Sequence, residues 1–259
     1  MLLEVCVDCV PAAVSAQSTG ADRVELCSCV NDGGITPSHG LIAAVCRALS
    51  ATKVHVLIRP RPGDFLYSPD ELQIMKHDVL HAASCGAHGV VLGMLTADGS
   101  IDTAQLLPFT ELCAALGIEL TFHRAFDVVK DPVKALDALL ACGVRRVLSS
   151  GGQRSVMEGL EQLARLVAEG GSRISVMPGG GVTAENAATV ARVTGCTELH
   201  GSFSSPVPSR MAYCHVPMLF DDGSRTMVDA AAVQRVRQAL AAADGGMEVQ
   251  GGLTAASDM

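Results

Sequence analysis

Two short segments of the sequence each place a glutamate and a cysteine two residues apart, Glu4 with Cys6 and Glu25 with Cys27. Residues two apart lie on the same face of a β-strand, so each segment would present a carboxylate and a thiol together. If the segments are neighbouring parallel strands in equivalent registers, about 4.8 Å apart, the two sulfurs would come close enough to hold one soft ion. Two thiolates with few other ligands favour Cu(I), whereas Zn(II) calls for about four ligands. The alternative is a pair of buried thiols without a ligand.

The other cysteines contribute less to this prediction. All ten cysteines are spread through apolar periodic segments of a long chain, which indicates reduced thiols rather than a disulfide framework. Cys9 forms a C-x-x-C string with Cys6, but a three-residue spacing along a strand points the two sulfurs to opposite faces. Cys29, two residues beyond Cys27, is the better candidate for an accessory ligand. The predicted metal ligands are therefore Cys6 and Cys27.

Charged residues cluster at the ends of two other predicted strands. Arg59 and Arg61 follow one of them, and His123, Arg124 and Asp127 follow another. In a barrel of parallel strands, polar residues at the carboxyl ends face a common pocket. These clusters predict a pocket for an anionic ligand, with a set of surface salt bridges as the alternative.

A run of three glycines, Gly179, Gly180 and Gly181, follows the seventh predicted strand. Glycines at such a turn let backbone N–H groups approach an anion, as in barrels that bind phosphate after strand seven. The alternative is that the glycines serve only a tight turn. A second function is thus an enzyme acting on a small anionic or phosphorylated metabolite. The candidates for its acid and base groups are Glu4, Glu25, His123 and Asp127.

Eight short apolar, β-branched runs alternate with helical patterns along the chain. Strict alternation predicts a parallel sheet with right-handed crossovers, and eight units in about 240 residues suit a closed (β/α)8 TIM barrel. The sequence Ser68-Pro69-Asp70-Glu71 predicts the start of a capped helix. The predicted strands are residues 2–7, 23–27, 54–59, 89–94, 118–123, 146–150, 174–177 and 198–202.

One barrel domain is predicted over residues 1–243. The segment 244–259 is rich in glycine, serine and alanine and lacks apolar periodicity, which predicts a disordered carboxyl-terminal tail. Residues 204–222 contain three prolines and form the longest gap between a strand and its helix. We expect them to form a long loop over the mouth of the barrel.

Composition limits the partners of the chain. Lysine and arginine total 19 against 27 aspartates and glutamates, a formal charge of −8, and no basic block could follow a phosphate backbone. Nucleic acid is therefore excluded as a partner. Glu4 interrupts the amino terminus, which lacks the pattern of a secretory signal, and no stretch approaches the roughly 18 apolar residues of a membrane span. We expect a cytoplasmic protein that does not enter membranes.

Several separate motifs, in order along residues 2–203, resemble the CutC copper homeostasis family. They are residues 3–6 (LEVC), 20–27 (GADRVELC), 33–38 (GGITPS), 58–61 (IRPR), 63–65 (GDF), 121–127 (TFHRAFD) and 146–148 (RVL).

The resemblance implies a TIM barrel that assembles into homo-oligomers and takes part in copper handling. It implies a location in the cytoplasm, with the nucleus as the alternative. It also places Cu(I) on cysteines at the ends of the first and second strands, which correspond to Cys6 and Cys27. The polar mouth residues that match the family pattern are Glu4, Glu25, Arg59, Asp64, His123, Arg124 and Asp127.

Overall fold

Eight parallel strands form a barrel in the order in which they occur along the chain. The computed structural model describes residues 1–213 and 225–247, apart from the side chains of residues 31 and 243–247. Successive strands pair from β1 to β7, and β8 pairs with β1. A parallel bridge between Gly179 and His200 joins β7 to β8 and closes the ring. The predicted (β/α)8 barrel is therefore confirmed.

The eight strands are short, and all of them begin within one residue of the predicted positions. They are β1 Leu2–Val7, β2 Arg23–Leu26, β3 Lys53–Leu57, β4 Gly89–Leu92, β5 Glu119–Phe122, β6 Arg146–Ser149, β7 Ser175–Pro178 and β8 Glu198–Gly201.

Helices follow the strands, and local sequence fixes where several of them begin. Ser68 and Glu71 form the predicted capping box at the start of the third helix, with Pro69 in its first turn. Asp131 caps the fifth helix by accepting a hydrogen bond from the Lys134 amide. The helices are α1 Val10–Ser18, α2 His39–Ala48, α3 Pro69–Ser84, α4 Thr103–Leu116, α5 Pro132–Ala141, α6 Leu160–Gly170, α7 Ala187–Thr194 and α8 Ala230–Met247.

Alternate residues along each strand point either into the core between strands and helices or into the inside of the barrel. Leu3 and Val5 of β1 are fully buried and belong to the main apolar core, which also includes residues of the surrounding helices. The intervening residues face the inside of the barrel, where Glu4 is also fully buried. A second, small apolar cluster made of Cys27, Leu57 and Val91 lies apart from the main core, with Cys6 packed against it. The strand alternation thus sends the glutamates and cysteines inward, as predicted.

The segment after β8 differs from the prediction. Residues 204–222 were expected to form an irregular loop, but β9 Ser204–Val207 pairs antiparallel with β10 Arg225–Val228. Pro206 is compatible with this pairing because the ribbon has only two strands, both at an edge. The rest of the predicted loop, residues 214–222, lies outside the described residues.

The boundary of the predicted tail also needs correction. Helix α8 continues to Met247, so the predicted start of the tail at residue 244 falls within a helix. The alanines at 241–243 favour helix up to the predicted boundary, and the helix continues one turn beyond it through Asp244, Gly245 and Gly246. Residues 248–259 are not among those described, and the tail there stays a prediction. Of the helices described, none combines the length and apolar character needed to cross a bilayer.

Candidate functional site

A cavity of about 240 Å³ opens at the carboxyl ends of the barrel strands. Its lining includes most of the predicted site residues, drawn from both sides of the barrel. They are Cys6, Glu25 and Cys27 from β1 and β2, together with Arg59, His123, Arg124, Gly180 and Gly181 from β3, β5 and the turn after β7. Because active sites of parallel barrels form at this end, the cavity is the candidate functional site.

The two predicted metal ligands are in contact. Cys6 pairs with Glu25 in the β1–β2 register, and the Cys27 amide donates to the carbonyl of Val7 just beyond the strands. The Sγ atoms of Cys6 and Cys27 lie 3.3 Å apart. The predicted proximity of the thiols is confirmed, although the two cysteines are offset by two register positions rather than aligned. Their role as metal ligands stays a prediction.

The surroundings of Cys6 favour the protonated thiol. The hydrogen bond with Cys27 raises the pKa of Cys6 well above its usual value, and burial and the charges of Glu25 and Glu4 act in the same direction. The other cysteines considered at this end do not join the pair. Cys9 packs against the main core, and neither Cys9 nor Cys29 lines the cavity.

His200 is a functional candidate that the sequence analysis missed. It lies on β8 opposite Glu4 in the register, and its Nδ1 is 2.7 Å from Glu4 Oε1. Its Nε2 is 3.7 Å from Glu25 Oε2. Burial lowers the pKa of His200, but the Glu4 hydrogen bond and the charges of Glu25 and Glu4 outweigh it and raise the pKa above its usual value. The missed signal was alternation on β8, where Glu198 and His200 share the inward face.

Glu4 orients His200 from below the cavity. It does not line the cavity, because its carboxylate is fully buried and paired with Arg23. Burial would raise the pKa of Glu4, but His200 and Arg23 outweigh it and hold the pKa well below its usual value. Arg23 also donates to Glu198 at 2.6 Å, and Glu198 accepts from Arg146 at 2.7 Å. Glu4 is therefore a positioning residue rather than the predicted acid or base.

Glu25 does line the cavity, beside Cys6 and His200. One ligand atom from each of these three residues lies within 4.8 Å of the others, a spacing that could surround one ion. Burial raises the pKa of Glu25, while the charge of His200 opposes the shift. The predicted candidate Glu25 is thus part of this cluster.

His123 lies on the other side of the cavity. Its Nδ1 accepts a hydrogen bond of 3.2 Å from the Ala125 amide, and its Nε2 has no partner among the residues described. Burial and the charge of Arg59 lower the pKa of His123 to about 3, so the ring is neutral. Gly93 leaves space for the ring, since a Cβ there would lie 2.6 Å from Nδ1.

Asp127 was predicted as an acid or base, but its carboxylate is occupied by hydrogen bonds that hold neighbouring segments together. Its carboxylate accepts hydrogen bonds from the Ser149 hydroxyl at 2.6 Å and from the Ser150 amide at 2.9 Å. It also accepts from Arg124 Nε at 2.7 Å and does not line the cavity. The short 3-10 turn Arg124–Val128 directs Asp127 back toward the loop after β6, which explains the difference from the prediction.

The predicted anion-binding residues separate into two groups. Arg59 lines the cavity, but its terminal nitrogens donate to carbonyls of Gly34 at 3.0 Å and Gly63 at 2.8 Å, which ties two loops together. Arg61 lies outside the cavity and pairs with Glu71 and Asp64. The prediction that Arg61 faces the pocket is wrong because prolines on both sides of it turn the chain away from the strand direction.

The glycine turn and Arg124 complete the cavity. Gly180 and Gly181 line it, whereas Gly179 lies beneath, where a Cβ would come within 2.5 Å of Leu148. The Arg124 guanidinium packs beside Gly180 and donates to the Ser150 hydroxyl at 2.7 Å. The prediction that Gly179 contacts an anion is therefore not supported by its position.

The fold and the site define the class of this protein: a (β/α)8 barrel with two neighbouring thiols, a carboxylate and an imidazole at its mouth. The CutC family model matches residues 1–205. The chain belongs to the CutC family, as its motifs had indicated.

Similar proteins cover most of the chain. The human copper homeostasis protein cutC homolog is 47% identical over 212 residues, which span 82% of this chain and 77% of the human protein. A CutC family protein of Vibrio vulnificus is 45% identical over 211 residues, or 82% of this chain and 84% of its own. The crystal structure of the putative copper homeostasis protein CutC from Streptococcus agalactiae matches with a TM-score of 0.74 and 37% identity, covering 78% and 98% of the two chains.

Proposed function

We propose that this protein binds Cu(I) at the mouth of the barrel through the thiolates of Cys6 and Cys27 and thereby serves copper homeostasis. The observation that carries the proposal is the 3.3 Å contact between the two Sγ atoms inside the cavity. Thiolates are the soft ligands that select Cu(I) over harder divalent ions. Membership in the CutC family, with relatives named as copper homeostasis proteins, supports the same function.

The spacing of the sulfurs favours a bent, three-coordinate site. Two metal–sulfur bonds of about 2.3 Å placed end to end would span more than the observed 3.3 Å. A linear S–Cu–S arrangement would therefore require Cys6 and Cys27 to move apart. A bent arrangement accepts the present spacing and leaves room for a third ligand.

His200 is suited to be that third ligand. Its Nδ1–H donates to the ionised carboxylate of Glu4, so the Nε2 lone pair becomes available once its proton leaves. A histidine held by a carboxylate in this way is the usual arrangement of a metal-bound imidazole. Glu25 supplies an oxygen, which Cu(I) disfavours, and its negative charge instead offsets the charge of a bound cation.

Binding must release protons, because the raised pKa of Cys6 keeps its thiol protonated in the metal-free protein. Protons therefore compete with Cu(I) throughout the neutral range. We expect the Cu(I) affinity to rise with pH between 6 and 8, by up to about tenfold per pH unit for each proton released. The measurement is a competition titration against a Cu(I) chelator of known affinity under anaerobic conditions at several pH values.

The decisive experiment compares cysteine variants in that titration. Replacement of both Cys6 and Cys27 by serine should abolish stoichiometric Cu(I) binding, and each single replacement should weaken it. Cys29→Ser is the matched control, because it removes an exposed thiol that does not line the cavity. Unchanged stoichiometry and affinity in the double variant would overturn the proposal.

His200→Asn tests the third ligand separately. It leaves both sulfurs in place, so we expect Cu(I) still to bind but with lower affinity and with a changed coordination number in X-ray absorption spectra. Spectra identical to those of the unmodified protein would exclude His200 from the site and leave the two-sulfur proposal standing.

Cytoplasmic location and assembly into homo-oligomers complete the proposal, and both rest on the family. Cell fractionation tests the first, and light scattering of the purified full chain tests the second. A monomer at micromolar concentration would contradict the assembly.

A further inference from the structure

The part of the cavity formed by the segments after β3 and β5 holds buried donors that lack acceptors. His123 is 5% exposed and Arg59 is 7% exposed, and both line the cavity. Neither His123 Nε2 nor Arg59 Nε has a hydrogen-bonding partner within the described part of the chain. Buried polar groups are rarely left unpaired, because each costs free energy without a partner. Two such groups on one wall indicate a ligand that supplies acceptors.

The hydrogen bonding of His123 fixes which nitrogen is the donor. Because the Ala125 amide donates to Nδ1, that nitrogen carries the lone pair and Nε2 carries the hydrogen. The Phe65 ring lies 5.0 Å from the His123 ring, and the Arg59 guanidinium lies 5.0 Å from the centre of the same Phe65 ring. This apolar cover lowers the local dielectric constant and strengthens hydrogen bonds to the two donors. A neutral imidazole N–H in such a place can polarise a carbonyl oxygen.

A second group of donors lies at the turn after β7. Arg124 uses Nε for Asp127 and Nη2 for Ser150, while no described acceptor contacts its Nη1. The Gly181 amide likewise donates to none of the acceptors in the described ranges, whereas the parallel bridge between Gly179 and His200 directs the Gly180 amide toward β8. A Cβ at Gly180 would lie 3.3 Å from Arg124 Nη1, so glycine keeps the guanidinium close to the backbone. A cation beside a free backbone amide forms a cradle for a phosphate group.

We propose that the mouth cavity also binds a small phosphate ester that carries a carbonyl or carboxylate oxygen. Arg124 and the amide of Gly181 hold the phosphate, while His123 Nε2–H and Arg59 Nε–H donate to the other oxygen.

The cavity, with a volume of about 240 Å³, has room for a small phosphate ester. The site goes beyond copper binding and uses different side chains from the thiol cluster.

The probe that fits this description is 2-phosphoglycolate, measured by calorimetric titration of the metal-free full chain. We expect it to bind at least tenfold more tightly than inorganic phosphate or glycolate, because only the intact probe contacts both donor groups. Equal affinity for phosphate and 2-phosphoglycolate would mean binding of an adventitious ion only and would overturn the proposal.

Two variants of His123 separate its donor from its structural role. In His123→Asn the side-chain oxygen can still accept from the Ala125 amide, but the distal N–H is lost. We expect about tenfold weaker binding of 2-phosphoglycolate. His123→Gln restores a distal N–H and should recover part of the affinity. Equal affinity of both variants and the unmodified protein would remove His123 from the site.

Arg124→Gln and Lys134→Gln form a matched pair for charge. Each removes one positive charge, but Lys134 is 85% exposed and lies outside the cavity. Binding should weaken about tenfold in the Arg124 variant and stay unchanged in the Lys134 variant. Equal weakening in both would indicate nonspecific attraction and contradict the proposal.

Nuclear magnetic resonance of the imidazole nitrogens gives a readout that needs no variant. The Nε2–H signal of His123 in the unmodified protein should be that of the neutral ring and should shift when 2-phosphoglycolate is added. A signal that does not respond at saturating probe would exclude the contact. Because Cu(I) titrations use Cys6 and Cys27, failure of either proposal is recognisable while the other stands.

Discussion

Two histidines face the same cavity in opposite electrostatic surroundings. His200 donates to the ionised carboxylate of Glu4 and lies near Glu25, and its pKa is raised. His123 accepts from a backbone amide and lies near the charge of Arg59, and its pKa falls to about 3. Both residues are at least nine-tenths buried. Because burial lowers the pKa of both rings, the neighbouring charges decide the direction in which each pKa finally shifts.

The cavity has two chemically different walls. The wall of β8, β1 and β2 offers thiols and carboxylates, which suit a soft cation. The wall of β5 and the turn after β7 offers N–H groups, which suit an anion. Since the two walls come from different strands, single substitutions can disturb one and leave the other intact.

The largest expected effect comes from the buried charges behind His200. Glu4→Gln keeps the shape of the side chain but removes the charge that Arg23 and His200 face. Breaking a buried ion pair by removing one partner costs about 3–5 kcal/mol, because the remaining charge is uncompensated. We expect a loss of this size in the free energy of unfolding, measured by urea denaturation of the metal-free protein.

Asp64→Asn is the matched control for that prediction. It also neutralises a carboxylate paired with an arginine, but Asp64 is largely exposed. Surface pairs contribute little, so its unfolding curve should overlie that of the unmodified protein. A comparable loss in both variants would show that burial does not set the strength of the Glu4 pair.

The wall of thiols and carboxylates could be predicted where neighbouring strands are also consecutive in the sequence. The two Glu-x-Cys segments lie on consecutive strands, so alternation alone placed Cys6 and Cys27 in one opening. His200 was missed although alternation on β8 places it on the same face as Glu198 and a closed barrel places β8 beside β1. The contact between Glu4 and His200 joins residues 196 positions apart, so it follows only when the two inferences are combined.

Residues beyond the strand ends were harder to predict. Arg61 and Asp127 both follow strands and were predicted at the mouth, yet each turns away. Arg61 pairs with Glu71 at the start of α3, and Asp127 accepts hydrogen bonds from Ser149 and Ser150 at the end of β6. Strand periodicity no longer applies once the chain leaves the sheet, and the loop hydrogen bonds then decide the direction. The two free donors of the opposite wall could not be predicted, since a missing partner is visible only in three dimensions.

A smaller effect should come from the glycine behind His123. In Gly93→Ala the new Cβ would lie 2.6 Å from the His123 ring, so the ring must move. Overpacking of this kind costs about 1–3 kcal/mol in the free energy of unfolding. We expect weaker binding of 2-phosphoglycolate with unchanged Cu(I) affinity, because the thiol wall is not touched. Loss of Cu(I) binding in this variant would show that the two walls are coupled.

The smallest expected effect is a pair of opposite pH dependences in the stability of the metal-free protein. His123 has a depressed pKa of about 3, so the unfolded chain binds its proton first as the pH falls below about 6.5. His123 therefore costs stability at low pH, by about 1.4 kcal/mol at pH 5.5. Relative to pH 7.5, His123→Asn should lose less stability than the unmodified protein by about that amount.

His200 should give the opposite pH dependence of stability. Its raised pKa means that the folded protein holds the proton more tightly, so its contribution is complete below about pH 6.5 and is lost as the pH rises through the folded pKa. His200→Asn should accordingly flatten the stability curve above pH 6.5, where His123→Asn changes nothing. Urea denaturation of the two variants between pH 5.5 and 8.5 compares these slopes. If both substitutions changed the slope of the stability curve in the same direction relative to the unmodified protein, the opposite pKa shifts of the two histidines would be contradicted.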